Sequence, residues 1–453
     1  MSIDAISAAR VQALSDREQQ RFVDARPRGC QQIDGARAHM PNGVPMSWMS
    51  TLYTHPPFVV DCGMGAVFTD VDGNSYIDFN LADTSMFTGY GVRAIAEAVA
   101  QRITAGPQFL LPTTDASRVA GQLSERFQLP LWQFTLSATQ ANTEAIRVSR
   151  AVTGRDGVLM FDGKYHGHAD ELLAVRNASG NVVPEGRGVL RDTTRHVHLV
   201  PYNDLDAVAH ELAGGNIACV VAEAAITNAG VIMPDPGFHS GLRRLVSDAG
   251  ALLVIDETHT LVSGPGGLTR HWGLQPDILV LGKSISGGLP LGAYGMTADV
   301  ADVFVDDPEA DWGDGVATGG TLFGNALSMA AARVTLEDVL TDHAYAHAAR
   351  LGGRLANGIE AVARDHGVEW SAHRLFNRSG YTHGPRLPRN ATDASASFDT
   401  DLFELQRVFM ANRGVWEAIS SAGPAAGIQT TAEHVDRYLE VLDDFLAEVV
   451  DKP

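Results

Sequence analysis

The chain has 453 residues, of which 45% are hydrophobic, 7% aromatic and 19% charged, and its formal net charge is −20. Because one hydrophobic core stops growing at about 250–300 residues, this length predicts a globular protein of two unequal domains. The acidic balance excludes nucleic acid as a partner, since such binding needs clustered Lys and Arg, and the three widely spaced cysteines indicate neither a disulfide framework nor a metal site.

The first 80 residues predict a helical arm followed by a small β-ribbon. The first twenty residues hold no continuous apolar run, so we expect no signal peptide, no membrane anchor and a cytoplasmic location. Residues 4–39 carry apolar side chains at helical spacing. Residues 65–79 alternate apolar and polar side chains around Asp72-Gly73, which predicts a hairpin. We assign residues 1–80 to part of a small domain.

Short apolar runs recur between residues 130 and 300 and predict buried strands. The runs are 134–136, 157–161, 197–201, 219–224, 251–256, 278–282 and 293–297. Helical patterns at 205–212 and 238–248 lie between some of them. This alternation predicts an α/β fold with a mostly parallel sheet flanked by helices, and we assign residues 81–325 to this large domain.

Longer helical patterns follow the predicted sheet. They cover residues 326–340, 344–366 and 431–450. The piece GPRLPRNATDAS at 384–395 has turn composition and predicts an exposed loop. We assign residues 326–453 to a smaller α+β domain.

Lysine is rare in this chain and occurs only as Lys164, Lys283 and Lys452. Arginine cannot replace lysine where an imine must form, because its guanidinium stays protonated in proteins. Lys452 is the penultimate residue, and Lys164 follows Asp162-Gly163 in a predicted loop. Lys283 is therefore the best candidate for a reactive amine.

Two side chains follow neighbouring predicted strands. Asp256 ends the run ALLVID, and Lys283 stands just past ILVLG, before a glycine-rich turn. Burial of a neutral polar group without a hydrogen-bond partner costs on the order of 2–7 kcal/mol, and burial of an unpaired carboxylate costs more. Pyridoxal 5′-phosphate (PLP) would satisfy both residues, with its protonated pyridine nitrogen at Asp256 and its aldehyde as an imine on Lys283. The sequence thus predicts PLP as the cofactor.

A third feature is the segment Ser137, Ala138 and Thr139, between a predicted strand and the helix that begins near Asn142. Hydroxyls and free backbone N–H groups at a helix N-terminus form an anion site, which suits the cofactor's phosphate. The same residue types also make an ordinary helix cap. Both interpretations remain open at this point.

Ordered segments between about residues 36 and 445 carry a family resemblance. They include TDVDGNSYIDF (69–79), FDGKYHGHAD (161–170), VIDETHT (254–260), PDILVLGKSISGGLPLGAYG (276–295) and TGGTLFGNALSMAAA (318–332). Together they resemble the class III aminotransferases of PLP fold type I, in particular the branch near glutamate-1-semialdehyde aminomutase and the omega or amine transaminases. The resemblance implies a homodimer with a shared active site.

The resemblance also implies roles for individual residues. Lys283 would hold the imine, Asp256 would bind the pyridine nitrogen, and Ser137, Ala138 and Thr139 would hold the phosphate. These are the residues on which the prediction of a PLP site depends.

Further residues would surround the cofactor by the same resemblance. Tyr165 would stack on the ring, and Thr321 would reach the phosphate of the neighbouring subunit. His259 stands where relatives often have Gln or Met beside the cofactor's phenolic oxygen. It would either hydrogen-bond there or pack behind the site.

Substrate recognition departs from the family. Relatives that act on amino acids often hold the carboxylate with an arginine. Here PMSWM (45–49) takes its approximate place, and SSAGPAAG (420–427) lacks the arginine that several relatives have there. The chain therefore predicts an apolar pocket lined by Trp48, Met49 and Tyr53, although Arg374 or Arg378 could still supply a clamp.

The leading hypothesis is an aminotransferase. It would move an amino group from an amine that is hydrophobic or lacks a critical carboxylate to an oxo acid such as pyruvate. The alternatives are an aminomutase of the glutamate-1-semialdehyde 2,1 type, a PLP-dependent lyase or racemase, and a non-catalytic member of the fold. The small-molecule amine and oxo acid are the expected partners.

Overall fold

A computed structural model describes residues 6–304, 315–417 and 423–450. The chain divides into two compact units, which we describe separately. Unit 1 consists of Met1–Val92, Ala346–Pro388 and Ala394–Pro453, and unit 2 consists of Arg93–Tyr345 and Arg389–Asp393. The sequence placed the boundaries at 80/81 and 325/326.

The strands are short and the helices vary widely in length. The strands are β1 Val60–Met64, β2 Val67–Asp70, β3 Ser75–Asp78, β4 Leu131–Thr135, β5 Gly157–Phe161, β6 Ala174–Arg176, β7 Val182–Pro184, β8 Val197–Val200, β9 Ile217–Glu223, β10 Leu252–Asp256, β11 Ile278–Leu281, β12 Gly292–Met296, β13 Ser371–Ala372, β14 Tyr381–Thr382 and β15 Val415–Trp416. The helices are α1 Ala8–Asp24, α2 Pro27–Ala36, α3 Trp48–Thr51, α4 Arg93–Ala105, α5 Thr114–Phe127, α6 Ala138–Thr153, α7 Leu205–Leu212, α8 Phe238–Asp248, α9 Gly267–Trp272, α10 Ala298–Ala301, α11 Ala326–Val334, α12 Asp342–Asp365, α13 Ala391–Ala396, α14 Thr400–Ala411 and α15 Ala432–Val449. No described helix is both long and apolar enough to cross a membrane.

Unit 2 is built on a seven-stranded sheet in the order β4-β12-β11-β10-β9-β5-β8. Strands β8, β5, β9, β10 and β11 pair in parallel, and β12 runs antiparallel to both β11 and β4. Every residue of β5, β9 and β11 is buried, which explains their continuous apolar sequences. All seven predicted strands are present, and the α/β prediction is confirmed.

Helix α6 packs on this sheet, and its N-terminus places residues 137–139 at the edge of the sheet. Its buried face includes Ala141, Ala145 and Ile146, at helical spacing. The helix begins directly after β4 and ends at Gly154, which adopts the left-handed conformation common at helix C-termini (φ +67°). Helix α11 contacts α4 and α5, so residues 326–334 belong to unit 2, whereas the sequence assigned them to the small domain.

The carboxyl ends of the central strands meet at one edge of the sheet. Glu223, the last residue of β9, pairs with Asp256, the last residue of β10. Asp256 in turn pairs with Val280 of β11, three residues before Lys283. Since ligands of open α/β sheets bind beyond this edge, the register brings the predicted residues to the expected place.

Unit 1 contains a four-stranded sheet in the order β1-β2-β3-β15. The predicted hairpin is confirmed as β2 and β3, with Gly73 at φ +91° in its turn. Strand β15 pairs in parallel with β3 and so joins the two ends of the chain in one sheet. The predicted helical arm is two helices, because Pro27 begins α2.

The predicted exposed loop at 384–395 is partly wrong, because α13 begins within it. The side chain of Asn390 accepts a hydrogen bond from the backbone N–H of Asp393 at 2.8 Å. Such a capping interaction starts a helix even in a sequence of turn composition.

Candidate active site

Lys283 lies just past β11, at the start of a short 3-10 helix, Lys283–Ser286. Its side chain is half-buried, and its backbone has φ +53°. This left-handed conformation costs a non-glycine residue about 1–3 kcal/mol and is concentrated at functional sites. The strain therefore supports a functional role for this lysine.

Asp256 is a buried carboxylate whose oxygens are held by three donors. Its Oδ2 accepts hydrogen bonds from the His166 Nδ1 and the Asn142 Nδ2, each at 2.8 Å. Its Oδ1 accepts from the backbone N–H of Thr258 at 3.0 Å. Burial alone would raise the pKa of Asp256, but the hydrogen bonds from His166, Thr258 and Asn142 outweigh it and lower the pKa to about 2.

Glu223 is the second buried carboxylate at this edge. Its Oε1 accepts from the backbone N–H of Tyr165 at 3.2 Å, and its Oε2 accepts from the backbone N–H of Thr227 at 3.1 Å and from the Thr227 hydroxyl at 2.9 Å. The Thr227 hydroxyl also lies 2.6 Å from the His259 Nδ1. Burial raises the pKa of Glu223 to about 7. These contacts join Tyr165 and His259 to the same cluster.

The N-terminus of α6 lies beside Lys283. Ser137 is the N-cap, and its hydroxyl accepts from the backbone N–H of Gln140, as the capping interpretation predicts. The first N–H groups of a helix, here those of Ala138 and Thr139, have no partner within the helix. A Cβ added to Gly282 would lie 2.9 Å from the Ala138 Cβ and 3.4 Å from the Thr258 Cγ2. The absence of a side chain at Gly282 therefore lets the segment that carries Lys283 pack closely against the helix N-terminus and the loop after Asp256.

Gly167 makes a similar close approach on the other side of the helix start. A Cβ there would lie 2.4 Å from the Thr139 Oγ1, and the backbone N–H of His168 donates to that oxygen at 3.2 Å. The segment that carries Tyr165 thus packs directly on the α6 N-terminus. A side chain at Gly167 would separate the two.

These residues fit PLP by their chemistry. An ionised, fully buried carboxylate suits a protonated ring nitrogen, and the α6 N-terminus suits a phosphate. An amine at the end of the neighbouring strand suits an aldehyde. The three groups lie on one edge of one sheet, as a single ligand with these three features requires.

The other lysines do not share this setting. Lys164 is buried, its Nζ donates to the carbonyls of Leu172 and Ala174, and burial lowers its pKa. It supports the segment before Tyr165 through the backbone. Lys452 lies outside the described residues.

Thr321 lies on an exposed segment of unit 2, where its carbonyl accepts a hydrogen bond from the Gln108 side chain. It is not among the residues that the contacts above bring together. Its expected partner, a phosphate of a neighbouring subunit, is outside a single chain.

The expected substrate residues lie in unit 1. Met49 and Tyr53 line a cavity of about 710 Å³, together with Phe58, Phe68 and Trp416. Trp48 begins α3 and is half-buried, but it is not among the residues that line this cavity.

The alternative arginines also lie in unit 1. Arg374 forms an ion pair with Glu360 at 2.6 Å, and Arg378 is buried. Of the stretch 420–427, residues 420–422 lie outside the described residues. An arginine that sequence reasoning missed is the buried Arg407, whose guanidinium lies 4.7 Å from the ring centroid of Tyr53.

Sequence reasoning also missed Asn142, His166, Glu223 and Thr227 as members of the cluster. Glu223 carried a usable signal, because it ends an apolar run as Asp256 does. His166 lies in the matched segment FDGKYHGHAD. Asn142 and Thr227 carried no such signal, because they contact Asp256 and His259, which lie 114 and 32 residues further along the chain.

Several known proteins are similar to this chain. The class-III aminotransferase family matches residues 48–370. A glutamate-1-semialdehyde 2,1-aminomutase from Chloroflexus aggregans (strain MD-66 / DSM 9485) is 34% identical over 409 residues, which cover 87% of this chain and 91% of that protein.

Solved structures are similar over almost the whole length. A glutamate-1-semialdehyde-aminomutase from Pseudomonas aeruginosa PAO1 is 36% identical, with a TM-score of 0.93 and coverage of 98% of this chain and 100% of that chain. A lysine-to-alanine variant of the Pseudomonas protein was solved in complex with PMP. An omega-transaminase from Sphaerobacter thermophilus is 27% identical, with a TM-score of 0.85 and coverage of 93% and 97%. The chain therefore belongs to the class-III aminotransferase family, with PLP fold type I and pyridoxal phosphate as its cofactor.

Proposed function

We propose that the chain catalyses a net isomerisation, in which one compound gives up an amino group and regains it on an adjacent carbon atom. The observation that carries this proposal is the 34–36% identity to proteins named glutamate-1-semialdehyde aminomutases over most of both chains. The sequence alone placed an aminotransferase first and the aminomutase second. Similarity reverses that order, while both candidates use the same cofactor site.

Each of the described site residues has a separate proposed role toward the cofactor. When bound, PLP supplies an aldehyde that condenses with amines and a ring that withdraws electrons. Asp256 would hold the ring nitrogen protonated, and Ser137, Ala138 and Thr139 would bind the phosphate. Lys283 would anchor the aldehyde and, as a general base, would carry a proton between neighbouring atoms of the substrate.

Two further side chains complete the proposed cofactor site. Tyr165 would stack on the ring, and the bond from its backbone N–H to Glu223 holds its segment in place. His259, three residues after Asp256 on the same loop, would hydrogen-bond to the phenolic oxygen.

We also propose a homodimer with a shared active site. Unit 2 exposes Phe109, Leu110 and Leu111, of which the latter two are 70% and 71% exposed in the single chain. Leu322, next to Thr321, is 51% exposed. Apolar residues grouped in this way favour burial against a second copy, which would give Thr321 its phosphate partner.

A second candidate is transamination of a hydrophobic amine with an oxo acid, in the cytoplasm as first expected. The cavity of unit 1 favours it, because the described residues that line this cavity include no charged side chain. Arg374 is engaged with Glu360, which argues against a carboxylate clamp at that residue. A substrate recognised without its carboxylate is compatible with either candidate.

One pair of assays separates the candidates. The holoenzyme is given glutamate-1-semialdehyde without any oxo acid, and separately 1-phenylethylamine with pyruvate. An isomerase produces 5-amino-4-oxopentanoate in the first assay and needs no second compound. A transaminase produces alanine and the ketone only in the second. If neither assay transfers nitrogen while the cofactor is bound, both proposals fail and a lyase or racemase must be tested.

A further inference from the structure

Glu223, Thr227 and His259 form a continuous hydrogen-bonded chain within unit 2. The Glu223 Oε2 lies 2.9 Å from the Thr227 Oγ1, which lies 2.6 Å from the His259 Nδ1. The exposed fractions of these three residues are 2%, 0% and 9%, so water does not compete for the bonds. The chain runs from the end of β9 to the loop after β10.

The Thr227 hydroxyl can donate only one proton, so its two neighbours cannot both be acceptors. If Glu223 is ionised, it accepts the hydroxyl proton, and the His259 Nδ1 must be the donor. If Glu223 is protonated on Oε2, it donates to the hydroxyl, which then donates to the Nδ1. The proton on Glu223 therefore decides which nitrogen of a neutral His259 ring carries hydrogen.

We propose that Glu223 and Thr227 are positioning residues that fix the orientation and the tautomer of His259, and through it the hydrogen bond to the cofactor's phenolic oxygen. This inference rests on the proposed position of His259 beside that oxygen. It does not depend on which reaction the enzyme catalyses.

The surroundings of Glu223 allow both states near neutral pH. Burial raises its pKa to about 7, and the charge of Asp256 adds to this increase. His166 opposes it, as do the hydrogen bonds from Thr227 and Tyr165. Lys164 and Tyr202 are the other titratable groups whose charges interact with Glu223.

The two states have opposite effects on a neutral His259. Below about pH 7 the Nδ1 accepts, so the Nε2 carries hydrogen and can donate to an ionised phenolic oxygen. Above it the Nδ1 donates, and the Nε2 is an acceptor that favours a protonated phenol. The hydrogen-bond chain thus transmits the titration of Glu223 to the cofactor.

A pH titration of the visible absorbance of the bound cofactor tests this inference. The wild-type holoenzyme is expected to show a step with its midpoint near the pKa of Glu223. Thr227→Val keeps the shape and removes the hydroxyl that links Glu223 to His259, so the step is expected to disappear. Thr227→Ser is expected to restore it, and Glu223→Gln is expected to remove the step.

Two controls distinguish positioning from folding. Thr335→Val removes an equally buried hydroxyl, which donates to the Ala331 carbonyl, and is expected to leave the midpoint unchanged. For variants that lose the cofactor, the ¹⁵N shifts of the His259 ring report the tautomer directly, with His259→Asn for assignment.

The possible failures are distinguishable. A wild-type midpoint that His259→Asn does not move refutes the position of His259 beside the phenolic oxygen. A step that changes in His259→Asn but persists unchanged in Thr227→Val or Glu223→Gln refutes the positioning role. Because absorbance needs no turnover, either result is independent of whether the isomerase or the transaminase assay succeeds.

Discussion

Strands β9 and β10 lie side by side and each ends in a buried carboxylate, yet the pKa values of the two carboxylates are shifted in opposite directions. The pKa of Asp256 is lowered to about 2, whereas that of Glu223 is raised to about 7. Both residues are buried and they face each other in register. Burial is therefore not what separates them.

The difference comes from the donors. Asp256 accepts from an imidazole and an amide side chain, and these bonds outweigh its desolvation. Glu223 accepts from two backbone N–H groups and a hydroxyl, and it also faces the charge of Asp256. Paired groups whose pKa values are driven apart are typical of acid–base sites. Asp256 stays ionised and suits a cationic ring, whereas Glu223 can gain or lose a proton near neutral pH.

The largest effect is expected for Asp256→Asn. It removes the charge that would keep the cofactor's ring nitrogen protonated, and loss of one such preorganised group costs on the order of a thousandfold in kcat. Steady-state kinetics with the better substrate from the two assays measures this. Asp299→Asn, which replaces an exposed residue of α10 in the same unit, is the matched control and is expected to be neutral. Equal losses in both variants would contradict the assignment.

Next in size is His166→Phe, which removes a donor to Asp256. A hydrogen bond to a charged group is worth about 1.5–3 kcal/mol, so we expect cofactor affinity to fall roughly 10- to 100-fold. The dissociation constant of PLP, from absorbance titration, measures the loss. His196→Phe replaces an exposed histidine and should not change affinity. Unchanged affinity in His166→Phe would show that Asp256 does not need this donor.

Glu223→Gln tests the other carboxylate through stability. Because its folded pKa lies above the ordinary value of 4.5, Glu223 binds more protons in the folded chain, and its contribution to the free energy of unfolding is lost as pH rises from about 4.5 to 7. The variant cannot titrate, so this contribution to the pH dependence, on the order of 2 kcal/mol, should disappear. Denaturant unfolding across this pH range measures it. An identical slope in wild type and variant would contradict the raised pKa.

Gly282→Ala should have the smallest effect of the four. Its Cβ would contact Ala138 at 2.9 Å and displace the α6 N-terminus by a few tenths of an ångström, so phosphate affinity should fall about tenfold, equal to roughly 1.4 kcal/mol. Gly121→Ala, on α5 with open space around it, is the control and should bind PLP normally. An unchanged PLP affinity in Gly282→Ala would contradict the proposal that residues 137–139 bind the phosphate.

Features encoded in local sequence were predictable. Apolar runs mark all seven strands of the large sheet, so their positions, and hence Lys283 and Asp256 at the sheet edge, could be predicted without coordinates. The partners of Asp256 could not, because Asn142 and His166 come from a distant helix and loop that only the fold brings together. Residues 326–334, which the sequence assigned to the small domain, fall in unit 2, because their contacts with α4 and α5 leave no local pattern.

The central claim is that Lys283 holds the cofactor, and borohydride reduction followed by peptide mapping tests it most directly. With only three lysines in the chain, each one falls in a separate peptide and the label can be assigned without ambiguity. Reduction of the wild-type holoenzyme should fix the cofactor on the peptide that contains Lys283 and on no other. A label on Lys164 or Lys452, or a Lys283→Ala protein that still carries reducible and active cofactor, would contradict the account.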